Sequence, residues 1–379
     1  MQSSNPRSKL TVFEAIDICL KKNLNFAAYQ LPNAKNPEIV IQFDSELNYI
    51  AADELSAEIK GFLVTPFSDG DCCNAFLIKP DIYVKDYFSS EQEQQLIALS
   101  PQSIQSDASD MPEEITHSEY ITQLDLILEN ICKGEFEKVV LSRIKIVAGE
   151  YISRLAQIYS DLCDSYHNAL VYIFNAGEHL WMGASPEPLL KASNGTMHTV
   201  SLAGTRTYNE LNTNIGAWNS KERLEQEYVT RYIAKVLSHF NLKDINQQGP
   251  YTQKAGNLLH LRTDFAFHSD EIMDKLGTFL SELHPTPAVC GMPRRESLEL
   301  LRKLEKHKRE FYSGFLGPVG LSGRLSLYVN LRCMKVLPGC LALFVGGGIT
   351  ADSVPEEEWH ETEIKAETLL SVIKKIGNR

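Results

Sequence analysis

Two glutamate pairs have the types and spacing to do chemistry together. Glu222 and Glu225 in "ERLEQEY", and Glu358 and Glu361 in "EWHETEIK", are each three residues apart, so on a helix each pair projects from one face. Lys365 falls one turn beyond Glu361. Two helices that each offer such a pair can grip a hard cation between them, and a set of oxygen ligands favours magnesium. His360 and Glu361 begin like the zinc-protease motif H-E-x-x-H, but Ile364 stands where the second histidine is needed. Zinc would also want more nitrogen or sulfur than this set supplies. The same spacing with lysines nearby is equally that of a solvated helix face, and spacing alone does not separate the two.

The elements that must carry these residues are legible in outline. Ser353 and Glu356 have the S-x-x-E capping-box spacing, which predicts a helix from there to about residue 375. The first glutamate pair lies in a helix expected over 217–240, and another is expected over 119–133. "FEKVVLSRIKIVAG" reads as a strand, segments 169–176 and 179–192 as a hairpin around "NAGEH", and "MHTVSLAGT" as a further strand. "SGFLGPVG", "GRLSLYVNLRCMKV" and "CLALFVGGGI" predict three strands of an antiparallel meander, separated at Ser322-Gly323 and Pro338-Gly339. In the middle one, Leu325, Leu327, Val329 and Leu331 share one face and Arg332 lies on the other. The polar stretch 99–114 reads as a long surface loop, and no internal repeat is present. Helices interleaved with hairpin-linked strands predict an α+β fold, with large antiparallel sheets in a two-layer core and helices outside.

Composition narrows the function classes. A chain of 379 residues, 43% hydrophobic and 23% charged, is an ordinary globular composition, read as a single large domain with a variable N-terminal part over 1–110. A net charge of −12 argues against nucleic acid as the main partner. The strongest basic cluster, "PRRESLELLRKLEKHKRE", has leucines at helix spacing and reads as a solvated helix face. No apolar run approaches the roughly 20 residues that span a bilayer, and residues 11–22 read as an amphipathic helix rather than a signal peptide. Eight cysteines without a CxxC pair predict reduced thiols and a cytoplasmic setting, with Cys72 and Cys73 as packing residues. The glycine triplet Gly346, Gly347 and Gly348 lacks the spacing of a nucleotide loop and reads as a strand end that lets a ligand approach.

A set of ordered motifs adds a resemblance. "FEKVVLSR", "GASPEPLL", "SLAGTRT", "ERLEQEYV", "LHPTPAVCGMP", "REFYSGFLGP", "NLRC", "FVGGGI" and "EWHETEIK" occur in this order between residues 136 and 365. Together they resemble the chorismate-utilising enzymes, the family of isochorismate, anthranilate, aminodeoxychorismate and salicylate synthases, over roughly residues 115–375. The resemblance implies the chorismate-binding fold of anthranilate synthase component I. It also implies a reaction in which a nucleophile adds at C2 of chorismate while the C4 hydroxyl leaves.

Site roles follow from the resemblance residue by residue. Lys138 matches the lysine that activates water, which needs a lowered pKa from burial or from a positive neighbour such as Arg143. Glu187 matches the acid that protonates the leaving hydroxyl, a task that burial would favour. Glu225 and Glu361 match the magnesium ligands, with Glu222 and Glu358 near enough to bind directly or through water. Arg332, Lys365 and the Gly346, Gly347 and Gly348 amides match groups around the substrate carboxylates, and Gly204, Thr205, His260, Tyr312 and Ala288 match other pocket positions. Ala203 stands where aminodeoxychorismate synthases carry an attacking lysine, and Ala288 where anthranilate and salicylate synthases usually carry threonine. Lys138 with Ala288 therefore implies release of isochorismate, for menaquinone or siderophore biosynthesis, by a magnesium-dependent monomer without a glutaminase subunit. A salicylate or anthranilate synthase, or a non-catalytic chorismate-binding relative, are the other readings.

Overall fold

In the computed structural model, which describes residues 9–51, 54–56, 58–67, 73–103, 111–208, 214–255 and 258–377, the β-branched and aromatic runs become strands covered on both faces. The first sheet runs in the order β14 (Gly291–Met292), β7 (Lys138–Ala148), β18 (Cys340–Ile349), β17 (Cys333–Leu337), β9 (His179–Ser185), β8 (Leu170–Ala176), β1 (Phe26–Gln30), β2 (Glu38–Ile41) and β6 (Ile82–Val84). The second runs β12 (Asn246–Ala255), β13 (Leu258–His268), β11 (Thr196–Thr207), β10 (Pro188–Ser193), β16 (Arg324–Val329), β15 (Phe315–Leu321), β4 (Gly61–Thr65), β5 (Phe76–Ile78) and β3 (Asn48–Tyr49). Every pairing among the described residues is antiparallel. The N-terminal strands extend one edge of each sheet rather than forming a unit of their own.

Strand alternation sorts the apolar residues into three layers. On β8, Leu170, Tyr172 and Phe174 face the second sheet, where Phe76, Phe311, Leu316 and Trp181 join them. Val171 and Ile173 face outward, under α1 (Val12–Lys22), α4 (Leu155–Ser165) and α8 (Pro355–Gly377). The outer face of the second sheet is covered by α5 (Ser220–His239) and α6 (Leu276–Leu283), and the same apolar layer continues under α3 (His117–Cys132) and α7 (Arg294–Leu304). The remaining helix, α2 (Ser90–Ala98), places Leu96 in the first outer layer. The α+β architecture of two antiparallel sheets with helices outside is the one expected, and strands buried on both faces explain their near-continuous apolar sequences.

Two expected strands are divided, and the divisions organise the molecule. The expected hairpin forms between β8 and β9, but its second arm stops at Ser185: β9 belongs to the first sheet and β10 to the second, with Pro186 and Glu187 between them. Likewise 324–336 splits into β16 in the second sheet and β17 in the first, so Arg332 lies in the break rather than on a strand face. Its φ of 48° turns the chain there, a left-handed conformation rare for a residue with a Cβ. The two crossings run side by side. The Ala184 amide donates to the Arg332 carbonyl at 3.0 Å and the Val329 amide to the Glu187 carbonyl at 3.0 Å, while the Ser185 hydroxyl donates to the Val329 carbonyl. Buried Asn330 fixes the turn by accepting from Tyr172 and donating to the Phe311 carbonyl at 2.8 Å.

Smaller departures have local causes. The last helix begins at Pro355, and the Ser353 hydroxyl accepts from the Thr350 amide at 3.0 Å instead of forming the expected capping box. Proline suits the first helical position because its missing N–H would lack a partner there anyway. The basic cluster is solvated along α7 but turns inward after it, where buried Arg309 pairs with the Glu305 carboxylate. Part of the 99–114 loop and Cys72 lie outside the described residues, whereas Cys19, Cys163, Cys290, Cys333 and Cys340 are buried thiols.

The aromatic layer between the sheets carries a stability expectation. Trp181 is fully buried, stacked on Phe344 at 5.0 Å and edge-on to Phe311 at 5.8 Å. Trp181→Ala should cost about 3–5 kcal/mol in urea unfolding. Leu126→Ala, at a position 43% exposed on α3, should stay within about 0.5 kcal/mol.

Candidate active site

Glu187 and Arg332 come from the two sheet crossings, and the remaining candidate groups gather around them. The cleft they share is lined also by Glu225, His260, Tyr312 and Lys365. Gly204, Ala288, Gly346 and Gly348 form parts of its wall. The side chain of Thr205 lies outside the described residues.

The glycine triplet earns its place through close packing. It lies on β18, with Gly346 opposite Ser142, Gly347 opposite Leu141 and Gly348 opposite Val140 of β7. A Cβ on Gly348 would come within 2.5 Å of Glu225 Oε1 and 2.7 Å of Lys138 Cε, and one on Gly346 within 2.8 Å of the Tyr312 hydroxyl. Gly347 faces the other way, where a Cβ would lie 3.4 Å from Glu358 Oε2. Alternation along one bare strand therefore makes room for the lysine on one side and for the α8 carboxylate on the other.

Lys138 opens β7 with no exposed surface, and its Nζ donates to Glu225 Oε1 at 2.7 Å. Burial pushes the Glu187 carboxyl up to about 7, although Lys138, Arg332 and Lys365 pull it the other way. That group can hold a proton near neutral pH. Burial and the Arg332 charge push His260 down to about 4, so its ring is neutral, with Nδ1 2.9 Å from the Gly204 carbonyl. Burial pushes the Tyr312 hydroxyl up to about 12 and pulls the Arg332 guanidinium below its ordinary range. Arg143 does not take the expected part of a positive neighbour to Lys138. It projects from the opposite face of β7, donates from Nε to Thr362 Oγ1 at 2.9 Å, pairs with Glu363, and stacks over Trp359 at 3.8 Å. Its role is to fasten α8 to β7.

Each of the four glutamates is matched by its own basic side chain. Lys138 pairs with Glu225, Arg206 with Glu222, Lys221 with Glu358 and Lys365 with Glu361. Lys365 also donates to the Gly346 carbonyl at 2.9 Å. Burial would raise the Glu361 carboxyl, but Lys365 holds it below the usual range, whereas burial wins at Glu358 and raises it despite Lys221. Glu222 departs from the expectation of a metal ligand: it closes the capping box of α5, accepting from the Asn219 amide at 3.0 Å, and its other oxygen is held by Arg206. Lys221 is a group the sequence reading passed over, although its spacing of four from Glu225 was the available signal.

The donors suit magnesium in kind, being oxygen only, and Glu358 Oε2 is a buried carboxylate oxygen without a partner. Their convergence is partial. Among the described residues, no three of these carboxylates bring oxygens within 4.8 Å of one another, because the four ammonium and guanidinium groups hold them apart.

Comparison with known proteins bears on the family and the fold. Residues 72–374 match the family model described as "Chorismate binding enzyme", which reaches further toward the N-terminus than the motifs do. The chain is 26% identical over 269 residues to isochorismate synthase MenF of Bacillus subtilis (strain 168), covering 69% of this chain and 56% of that protein. It is 29% identical over 278 residues to isochorismate synthase EntC of Escherichia coli (strain K12), covering 69% of this chain and 68% of that protein. The matched span is thus about half to two thirds of these relatives' own length. In fold, the chain superposes on MenF, the menaquinone-specific isochorismate synthase from Escherichia coli, with a TM-score of 0.75 at 20% identity, over 95% of this chain and 91% of that one. With the family model matching most of its length around a cleft built from the same motifs, this chain belongs to the family of chorismate-binding enzymes.

Proposed function

We propose that this chain is an isochorismate synthase, converting chorismate reversibly to isochorismate with magnesium, for menaquinone or siderophore biosynthesis. The observation that carries this reading is a fully buried lysine, Lys138, held against Glu225 of the cleft wall, together with a buried cleft glutamic acid, Glu187, pushed up to about 7. Lys138 takes a proton from water as that water adds at C2. The ring double bonds shift, and Glu187 gives its proton to the C4 hydroxyl, which leaves as water. Water enters and water leaves, so substrate and product are isomers and the reaction runs both ways.

Arg332 and Lys365 supply positive charge for the substrate carboxylates, and the bare backbone of Gly346 and Gly348 leaves space beside them. Glu225 and Glu361 would hold the magnesium ion, with Glu358 beside them, and the bound ion would supply a positive charge that fixes the ring carboxylate. Ala288, small and half-buried in the cleft wall, favours release of the hydroxylated product over elimination of pyruvate. With water as the nucleophile, the chain works in the cytoplasm as a monomer without a glutaminase subunit.

Purified protein with chorismate and magnesium should yield isochorismate by chromatography. Salicylate with pyruvate, or anthranilate when ammonia is added, as the main product would refute the assignment. Chelation by EDTA should remove the activity and excess magnesium should restore it.

Lys138→Ala and Glu187→Gln should each lower kcat by about 10²- to 10⁴-fold while leaving the circular dichroism spectrum unchanged. Glu187 must be protonated to act as the acid. On this account the forward kcat should fall as pH rises through about 7, a limb read from initial rates across a buffer series.

A further inference from the structure

Outside the carboxylate cleft, a second group of side chains has the composition of a metal site. Cys73 in the loop before β5, His179 at the start of β9 and Glu310 in the loop after α7 each place a ligand atom within 4.8 Å of the others. Among the described residues this is the one such group of three. The imidazole is fixed in place, parallel to the Phe76 ring at 6.2 Å and edge-on to Phe311 at 4.9 Å. Its Nδ1 is buried and has no hydrogen-bond partner, and Nε2 faces the Glu178 carboxylate at 4.0 Å. Glu310 is held at a φ of 49°, and both of its carboxylate oxygens lie 2.9 Å from Lys335 Nζ. A residue with a Cβ adopts that backbone only where its surroundings impose it.

We propose that Cys73, His179 and Glu310 form a binding site for a zinc-class divalent metal, separate from the carboxylate cleft, that ties the loop before β5 in the second sheet to β9 in the first. A sulfur, a nitrogen and an oxygen donor suit zinc and disfavour magnesium or calcium, which take oxygen sets. His179 ligates through Nδ1, and Glu178 orients the ring from the Nε2 side, the usual arrangement for a metal-bound histidine. Glu310 gives one oxygen to the metal while Lys335 keeps the other, and water completes the tetrahedron. Binding releases the Cys73 thiol proton to solvent. The thiolate and the Glu310 carboxylate then neutralise the divalent charge, and Glu178 balances Lys335.

Cobalt(II) is the probe, because thiolate-bound cobalt gives a sulfur-to-metal charge-transfer band in the near ultraviolet and carboxylate-bound cobalt gives none. Titration of metal-stripped full-length protein should develop that band to saturation at a single equivalent. Zinc should abolish it stoichiometrically and raise the thermal midpoint. Cys73→Ser, His179→Gln and Glu310→Gln should lose or weaken the band, the last while keeping its hydrogen bond to Lys335 and hence its fold. Cys132→Ser, at the exposed cysteine on α3, and Glu225→Gln, in the cleft, should retain it. Absence of the band in the unmodified protein, its persistence in Cys73→Ser, or its loss in Cys132→Ser would overturn the proposal. Failure of the chorismate assay would leave this result untouched, since the two sites share no residue.

Discussion

Two antiparallel strands change sheets at the same level, and the backbone hydrogen bonds between them hold the rest of the site in place. A strand that leaves a sheet strands its amides and carbonyls, and buried backbone groups without partners are costly. Here the two departing segments satisfy each other: the Ala184 and Val329 amides find the Arg332 and Glu187 carbonyls. The residues that must depart from ladder geometry are therefore the ones whose side chains face the gap between the sheets. Glu187 and Arg332 owe their positions to this arrangement.

Charge is managed in the same space by pairing. Buried ions cost several kcal/mol each unless matched, and in and around the cleft Glu222, Glu225, Glu358 and Glu361 are opposed by three lysines and an arginine. Glu187 is the exception. It lies among positive groups without a direct ion pair, so burial keeps its proton on. The contrast between a paired Glu361, held low, and an unpaired Glu187, pushed up, separates the proposed ligand from the proposed acid among residues of one type.

Much of the fold was legible because its determinants are local. Helical spacing marked α3, α5 and α8, and β-branched runs with Gly-containing turns marked β7, β15 and β18. The two sheet crossings escaped because apolar character continues through them: "LYVNLRCMKV" reads as one strand whether or not Asn330 and Arg332 turn it. Arg143 was misplaced for a related reason. Five residues from Lys138, it lies on the opposite face of an unbroken strand, and its partners Trp359, Thr362 and Glu363 are more than two hundred residues away.

The sequence by itself determined which chemistry was on offer. The types and order of Lys138, Glu187, Glu225, Arg332 and Glu361 are written in it, as is the helical spacing that puts carboxylates on one face. Tertiary structure decided which of those groups share a space and in what charge state. Glu222 became a capping residue because its neighbours Asn219 and Arg206 claimed both oxygens. Glu187 can hold a proton near neutral pH because burial disfavours its charged form. Cys73, His179 and Glu310, which no motif connects, came together because strands from both sheets and a loop end at one corner. Burial and ion pairing depend on what the folded chain brings from far along its length, and local pattern does not encode that.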